Sequence, residues 1–168
     1  KVRINFFRKL SKKHAFNLIY LNTIGGQDEI VFDGSSFIVD REGNIRKTCK
    51  FFAEESYNIL INNGEFLEES SFNTTNIIAD EEEAIYEAIK IGTYDYIKKS
   101  KLNGVLLGLS GGIDSALTLA IASDVFRKDD IEAVLLPSIF TSELSIQLAK
   151  EQCEILDINY SIISIEDI

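Results

Sequence analysis

The pattern of hydrophobic and polar positions changes near residue 80. Before it, residues 16–22, 30–32 and 36–39 are short runs of β-forming side chains. The Gly, Asp, Ser and Asn residues between these runs are typical of turns. The first part of the chain is therefore predicted to be strand-rich, with hairpins.

From residue 80 onward, apolar side chains recur at helical spacing and alternate with short apolar runs. The pattern predicts helices at residues 81–100, 113–127 and 142–156, and strands at residues 104–109, 131–136 and 158–164. Such alternation is typical of a parallel sheet with helices on its faces. The predicted fold class is α/β.

A segment with neither pattern joins the two parts. Residues 58–76 contain short apolar stretches broken by Asn62-Asn63-Gly64 and by a cluster of Ser, Asn and Thr, as expected of a connecting segment. We therefore predict a first domain over residues 1–53, a linker over 54–79 and a second domain over 80–168.

The net charge of the chain is −10, from 17 basic and 27 acidic side chains. This balance argues against nucleic acid and anionic membranes as partners, because both require a basic surface. The excess is local, since residues 54–87 carry ten acidic and no basic side chains. Part of it is the predicted helix start at residues 81–83, where acidic groups stabilise a helix N-terminus.

Neither a membrane span nor a signal peptide is recognised, because no apolar run approaches the roughly 20 residues that a span needs. Cys49 and Cys153 have neither a disulfide-framework nor a metal-ligand spacing. Both cysteines are predicted to be structural, and His14 is predicted to lie on the surface of a basic helix. Cytoplasm is the predicted compartment.

The chain contains no methionine and therefore does not include its own initiator residue. At its other end, residues 158–168 form a strand-like apolar run with no closing element. We expect the chain to be a piece of a longer protein.

A glycine-rich loop lies between a predicted strand and a predicted helix. It reads Gly108-Leu109-Ser110-Gly111-Gly112-Ile113-Asp114-Ser115. Adjacent glycines let the backbone approach a ligand closely, and successive N–H groups at a helix start bind an anion. The expected ligand is a phosphate group, with Ser110 and Ser115 as hydroxyl donors. Asp114 does not fit a phosphate site unless a cation lies between them, and Mg²⁺ is the expected cation.

Two common phosphate-binding loops are excluded by their spacing. A Walker A loop requires Lys followed by Ser or Thr after its last glycine, whereas Ile113-Asp114 follows Gly112. A dinucleotide-binding loop requires the full G-x-G-x-x-G spacing, which residues 109–112 do not supply. An ordinary glycine-rich turn is the structural alternative.

The residues Ser110-Gly111-Gly112-Ile113-Asp114-Ser115 resemble the pyrophosphate-binding loop of the ATP pyrophosphatase superfamily. Members of this superfamily adenylate an oxygen atom of their substrate, release pyrophosphate, and let a nitrogen or sulfur nucleophile displace AMP. The loop alone does not choose among NAD, GMP, asparagine and argininosuccinate synthetases or tRNA-modifying relatives.

A second resemblance lies upstream, at residues 20–40. This segment, with Gly25-Gly26-Gln27-Asp28-Glu29 at its centre, is similar to the end of the nitrilase-like glutaminase domain of glutamine-dependent NAD synthetases. Leu136-Pro137-Ser138 and Thr141-Ser142-x-x-Ser145 are similar to segments after the second strand of the synthetase domain in that family. The combination implies the strand-rich end of a nitrilase-like α/β sandwich, followed by an incomplete parallel-sheet nucleotide-binding domain.

The resemblance implies a ligase that converts deamido-NAD to NAD with ATP and Mg²⁺. In this family the nicotinate carboxylate is adenylated, and ammonia released from glutamine displaces AMP. The implied partners are deamido-NAD and glutamine or ammonia, the implied assembly is a homo-oligomer, and the chain by itself is expected to be inactive. Two alternatives stay open: another amidotransferase of the superfamily, and a nucleotide-binding module without activity.

The resemblance also assigns residues to the site. ATP-binding positions are implied at Gly108, Leu109, Ser110, Gly111, Gly112, Ile113, Asp114 and Ser115, with Asp114 as the metal ligand. Tyr96 is a candidate contact for the dinucleotide, with a core or interface role as its alternative, and Lys1 is a candidate contact for glutamine. No catalytic residue is assigned within the chain, because the resemblance implies that the glutaminase Glu, Lys and Cys lie upstream of it.

Two positions depart from the family pattern. Leu148 stands where many members have Asp, which is expected to affect helix packing or a polar contact. Ile139 stands where a basic residue is frequent, which is expected to shift a contact to the nucleotide.

Upstream, residues 25–29 are predicted to be a polar loop between apolar strands. Its role is either a contact with the second domain or a neighbouring subunit, or a plain hairpin connection.

Overall fold

The structure, a computed structural model, describes residues 2–67 and 80–166. By its contacts the chain divides into two units, Lys1–Ala88 and Ile89–Ile168, and their boundary falls inside a long helix. The predicted linker at residues 54–79 lies partly outside the described residues, and the predicted domain limits stay predictions.

The described part of the first unit begins with one helix, which is followed by short strands. Their bounds are α1 Val2–His14, β1 Leu18–Tyr20, β2 Ile24–Gln27, β3 Ile30–Asp33, β4 Phe37–Val39, β5 Ile45–Thr48, β6 Ile61–Asn62 and β7 Glu65–Phe66. β1, β4 and β5 form an antiparallel sheet in the order β1-β4-β5. β2 pairs with β3, and β6 with β7, as antiparallel hairpins.

Helix α1 packs against the central strand of this sheet. Ile4 contributes to one buried cluster with Phe37 and Val39, and Phe7 packs against it. The whole of β4 is buried, as expected of a central strand covered on both faces. Arg3 anchors the start of α1, because its guanidinium donates to both carboxylate oxygens of Asp33 at 3.0 and 3.1 Å.

The predicted polar loop at residues 25–29 is wrong in extent. Gly25, Gly26 and Gln27 belong to β2 and pair with Phe32, Val31 and Ile30 of β3. Only Asp28 and Glu29 form the turn, with Asp28 at a φ of 52°. Backbone pairing with β3 outweighs the low strand preference of two consecutive glycines. The contact predicted for this segment stays a prediction.

Both cysteines are free and buried, as the predicted structural role requires. The sulfur of Cys49 lies 3.6 Å from the Tyr57 hydroxyl, just after β5. Cys153 is fully buried on the inner face of its helix, and burial raises the pKa of its thiol. His14 is exposed at the end of α1, as predicted.

The second unit alternates helices and strands in the predicted order. Its elements are α2 Glu81–Lys99, which begins in the first unit, then β8 Val105–Gly108, α3 Ile113–Val125, a 3-10 turn Lys128–Asp130, β9 Ile131–Leu135, α4 Glu143–Leu156 and β10 Asn159–Ile162. The strands are parallel in the order β8-β9-β10. The α/β fold class and the parallel sheet are therefore confirmed.

Helices α3 and α4 share one core with the sheet. One buried cluster contains side chains of both helices and of one face of β9. Its members include Leu119 and Ala122 of α3, Ala149 of α4, and Ile131, Ala133 and Leu135 of β9. Because consecutive right-handed crossovers in one direction place their helices on the same side, this arrangement follows from the strand order. Across the ranges 2–67 and 80–166, no helix combines the length and apolar character needed to cross a membrane.

Candidate functional site

The glycine-rich loop lies at the carboxyl ends of β8 and β9, where open α/β sheets bind ligands. It leaves β8 at Gly108 and enters α3 at Ile113. The Leu109 N–H donates to the Val134 carbonyl at 2.9 Å, which extends the sheet by one residue. The free part of the loop therefore begins at Ser110, and the Leu109 amide is not available to the predicted ATP ligand.

Two serine hydroxyls hold the loop in shape. The Ser110 N–H donates to Ser115 Oγ at 3.2 Å, and Ser115 Oγ donates to the Gly112 carbonyl at 3.0 Å. The Gly112 N–H donates to Ser110 Oγ at 3.3 Å. The Ser115 hydroxyl hydrogen is thus used inside the loop, and its predicted donation to phosphate requires this bond to open.

Gly111 brings the loop onto the first turn of α4. Its φ of 79° is in the left-handed region, which favours glycine. A Cβ at this position would overlap the Ser145 carbonyl oxygen and crowd Ser145 Cα at 2.9 Å. Glycine is therefore required at position 111 for two reasons: the left-handed backbone angle and the close contact with Ser145.

The start of α3 leaves its amides open. Gly112 is the N-cap residue and has no side chain that caps the helix. The first N–H groups of any helix have no partner within the helix, so those of Ile113, Asp114 and Ser115 face outward from the helix start. The side chain of Ile113 is 80% exposed, so it does not shield them. This arrangement is suited to binding an anion.

Helix α4, in contrast, caps its own start. Ser142 is its N-cap, and its hydroxyl accepts from the Ser145 N–H at 3.1 Å. Of the two neighbouring helix starts at this edge of the sheet, α3 is the one without a side-chain cap.

A cavity of about 410 Å³ opens beside the loop. Its walls come from the end of β8, the end of β9 and the start of α4. They are Gly108, Leu109, Ser110, Val134, Leu135, Leu136, Pro137, Thr141, Ser145 and Ile146. The lining combines apolar side chains with three hydroxyl groups, as expected of a site for a small organic ligand with polar substituents.

The donor set around Asp114 fits Mg²⁺ only together with phosphate oxygens. Asp114 is exposed in the first turn of α3. No group of three or more His, Cys, Asp and Glu that could hold a metal occurs in the part of the chain that the structure describes. Mg²⁺ is commonly held by one or two carboxylates plus substrate phosphates, so a single carboxylate is compatible with it.

The structure describes one of the two other predicted substrate contacts. Tyr96 is 68% exposed on α2 and does not line the cavity. Lys1 lies outside the described residues. Of the two departures from the family pattern, Ile139 is 73% exposed after β9 and Leu148 is 45% exposed on α4.

Sequence reasoning missed the apolar wall of the cavity. Val134 and Leu135 read as ordinary buried strand residues, and Ile146 reads as part of a helical stripe. The one feature that could have marked them as cavity residues is their position at or near the carboxyl ends of the strands. The hydroxyl-bearing lining residues Thr141 and Ser145 lie in a segment that the sequence analysis had singled out.

Comparison with known proteins assigns the second unit to a family. The family model described as NAD synthase matches residues 85–168, half of the chain. A glutamine-dependent NAD(+) synthetase of Acinetobacter baylyi is 39% identical over 168 residues, which are 99% of this chain and 30% of that relative. The chain thus spans about a third of the length of the curated relatives it matches.

Two solved structures have a similar fold. A glutamine-dependent NAD+ synthetase from Acinetobacter baumannii, in complex with ADP, has a TM-score of 0.88 at 33% identity over 99% of this chain and 31% of its own. One from Cytophaga hutchinsonii has a TM-score of 0.79 at 15% identity over 99% of this chain and 33% of its own, which shows the fold alone. Because the family model, the similar relatives and the fold agree, we conclude that the chain belongs to the NAD synthase family.

Proposed function

We propose that the full-length protein is a ligase that makes NAD from deamido-NAD, ATP and ammonia taken from glutamine. The observation that carries the proposal is the uncapped start of α3, which follows a loop of the pyrophosphate-binding type and borders a cavity. The similarity over nearly the whole chain to proteins named glutamine-dependent NAD(+) synthetase supports the choice of substrates.

ATP is the proposed occupant of the loop and the cavity. The ADP named with the Acinetobacter baumannii structure supports an adenine nucleotide as the ligand. The amides at the start of α3 would face the β- and γ-phosphates, and the hydroxyl of Ser110 would reach them from the loop. The apolar walls at Leu135, Pro137 and Ile146 would exclude water from one side of the nucleotide.

The proposed reaction has two steps. In the first, a carboxylate oxygen of deamido-NAD attacks the α-phosphorus of ATP, and the bond between the α- and β-phosphates breaks to release pyrophosphate. In the second, ammonia attacks the activated carbonyl carbon, the bond to AMP breaks, and the nitrogen loses a proton to give the amide. Helix-start amides that are already oriented stabilise the charge that grows on pyrophosphate in the first step.

Asp114 is the proposed Mg²⁺ ligand, and Mg²⁺ when bound would neutralise part of the phosphate charge. The carboxylate of Asp114 would hold the ion from the protein side, and phosphate oxygens would complete its coordination. Tyr96 is proposed to contact the dinucleotide, and Lys1 to contact glutamine, in the full-length protein. A homo-oligomeric assembly and a cytoplasmic location belong to the same proposal.

The acceptor substrate separates this proposal from its alternatives. The full-length protein should form the amide product with deamido-NAD and ATP when either glutamine or ammonia is supplied, and none when xanthosine monophosphate or aspartate replaces deamido-NAD. Amide formation on one of those acceptors would favour another amidotransferase of the superfamily. Nucleotide binding without turnover of any of the three would favour a binding module.

A further inference from the structure

A glutamine on α4 contacts the first turn of α3. The Gln152 Nε2 donates to the Ala116 carbonyl oxygen at 2.7 Å, and Gln152 is half-buried. The two residues are 36 positions apart in the chain. The bond therefore joins the two helices directly, beside the start of α3.

The same side of α4 makes a second contact with the loop. Ser145 meets Gly111 so closely that no Cβ fits between them. Ser145 and Gln152 are seven positions apart, which is two helical turns, so both lie on one side of α4 about 10 Å apart. The loop and the first turn of α3 are thus held at two points of one rigid helix.

The peptide that Gln152 holds is close to the open amides. The Ala116 N–H donates to the Gly112 carbonyl at 3.0 Å, which closes the first turn of α3. A shift of Ala116 therefore moves Gly112 and, with it, the amides of Ile113 and Asp114. The distance between these amides and a bound phosphate depends on where α4 holds Ala116.

We propose that Gln152 is a positioning residue, which aims the amides at the start of α3 at the pyrophosphate of ATP. The inference rests on the proposed function, because it assigns a role within the proposed ATP site. Gln152 does not line the cavity, and its side chain donates to Ala116, one residue past the loop. Its effect is on the orientation of the helix start.

Replacing Gln152 by leucine removes the donor while keeping a side chain of similar size. A misplacement of about 1 Å costs roughly 100-fold in rate, so a partial shift should lower kcat for pyrophosphate release by about tenfold. The KM for ATP should change by less than about twofold, because the amides act mainly on charge that develops during the reaction. Steady-state rates of the full-length protein, with ammonia as nitrogen donor, measure both constants.

Gln147→Leu is the matched control. Gln147 lies on the same helix, is exposed, and its amide donates to Glu151 of that helix at 2.8 Å. This variant should keep the kcat and KM of the wild type. A tenfold loss in both variants would show a general effect on α4 and would overturn the positioning role.

Two further variants keep the test decisive if Gln152→Leu does not fold. Gln152→Lys retains a long side chain with a donor and should restore most of kcat, whereas Gln152→Glu has the same shape without the donor and should not. Equal kcat in Gln152→Lys and Gln152→Glu would overturn the positioning role of Gln152, and so would a wild-type kcat in Gln152→Leu. Either result would leave the proposed function in place. A wild-type protein that releases no pyrophosphate from ATP would overturn the proposed function, and the inference with it.

Discussion

Replacing Gly111 by alanine should lower the rate of pyrophosphate release in the full-length protein by at least about 100-fold, the scale of a misplacement of about 1 Å. Two effects act together. The backbone at Gly111 has a φ of 79°, which strains any residue with a Cβ. The added methyl would also overlap the Ser145 carbonyl, which cannot move without moving the first turn of α4. The loop must therefore leave its position.

Gly64→Ala separates strain from overlap. Gly64 has a φ of 81° and nothing within 4 Å of the position that a Cβ would occupy. It lies in the turn between β6 and β7, away from the glycine-rich loop in the chain. The same strain without overlap should lower the thermal unfolding midpoint slightly and leave pyrophosphate release near the wild-type rate. Full activity of Gly111→Ala would contradict the close packing of the loop on α4 as a requirement for function.

Replacing Asp114 by asparagine should lower pyrophosphate release by about 100-fold or more, the scale on which one lost electrostatic contact lowers kcat. The amide has the size of the carboxylate but no charge, so it binds Mg²⁺ poorly. The loss should persist when the Mg²⁺ concentration is raised, because the ligand rather than the ion is missing. Initial rates measured over a range of Mg²⁺ concentrations check this expectation.

Loss of the Asp114 carboxylate also removes its favourable interaction with the dipole of α3, and this effect must be separated from the loss of Mg²⁺ binding. A carboxylate in the first turn of a helix stabilises it by about 0.3–1 kcal/mol, so Asp114→Asn should also lower the unfolding midpoint a little. Asp129→Asn removes one acidic charge from the 3-10 turn before β9, at the opposite edge of the sheet. It should keep the wild-type rate. Retained activity in Asp114→Asn would defeat its assignment as the metal ligand.

The order of helices and strands was predictable from residue 80 onward because each element has its own period. Helix α4 carries an apolar stripe, and β9 is a mostly apolar run that follows a polar 3-10 turn. The observed bounds differ from the predicted ones by no more than a few residues, as at α3, which ends at Val125. Local pattern determined α3, α4 and the strands, because each contributes side chains to one core, whereas no residue of α2 is buried.

The strand at Ile24–Gln27 was not predictable in the same way. Two consecutive glycines read as a break, since nothing in their side chains favours a strand. Their pairing with β3 is visible only when Val31 and Phe32 are placed opposite them. Tertiary pairing therefore outweighed the local signal.

The candidate site was predictable in its ligand class but not in its support. The residue types at 110–115 point to phosphate because glycines and a helix start fall at the end of a strand. The bond from Gln152 to Ala116 and the contact of Gly111 with Ser145 join positions more than 30 residues apart. No periodicity or spacing in one sequence marks such pairs.

The bond that breaks in ATP tests the central claim, that the loop at residues 110–115 binds and stabilises a departing pyrophosphate. The full-length protein would be incubated with ATP labelled at the α- and γ-phosphates, deamido-NAD, Mg²⁺ and ammonia, and its products separated by chromatography. The account predicts AMP and pyrophosphate, each in equal amount to the NAD formed. ADP and inorganic phosphate as the products that accompany NAD would contradict it.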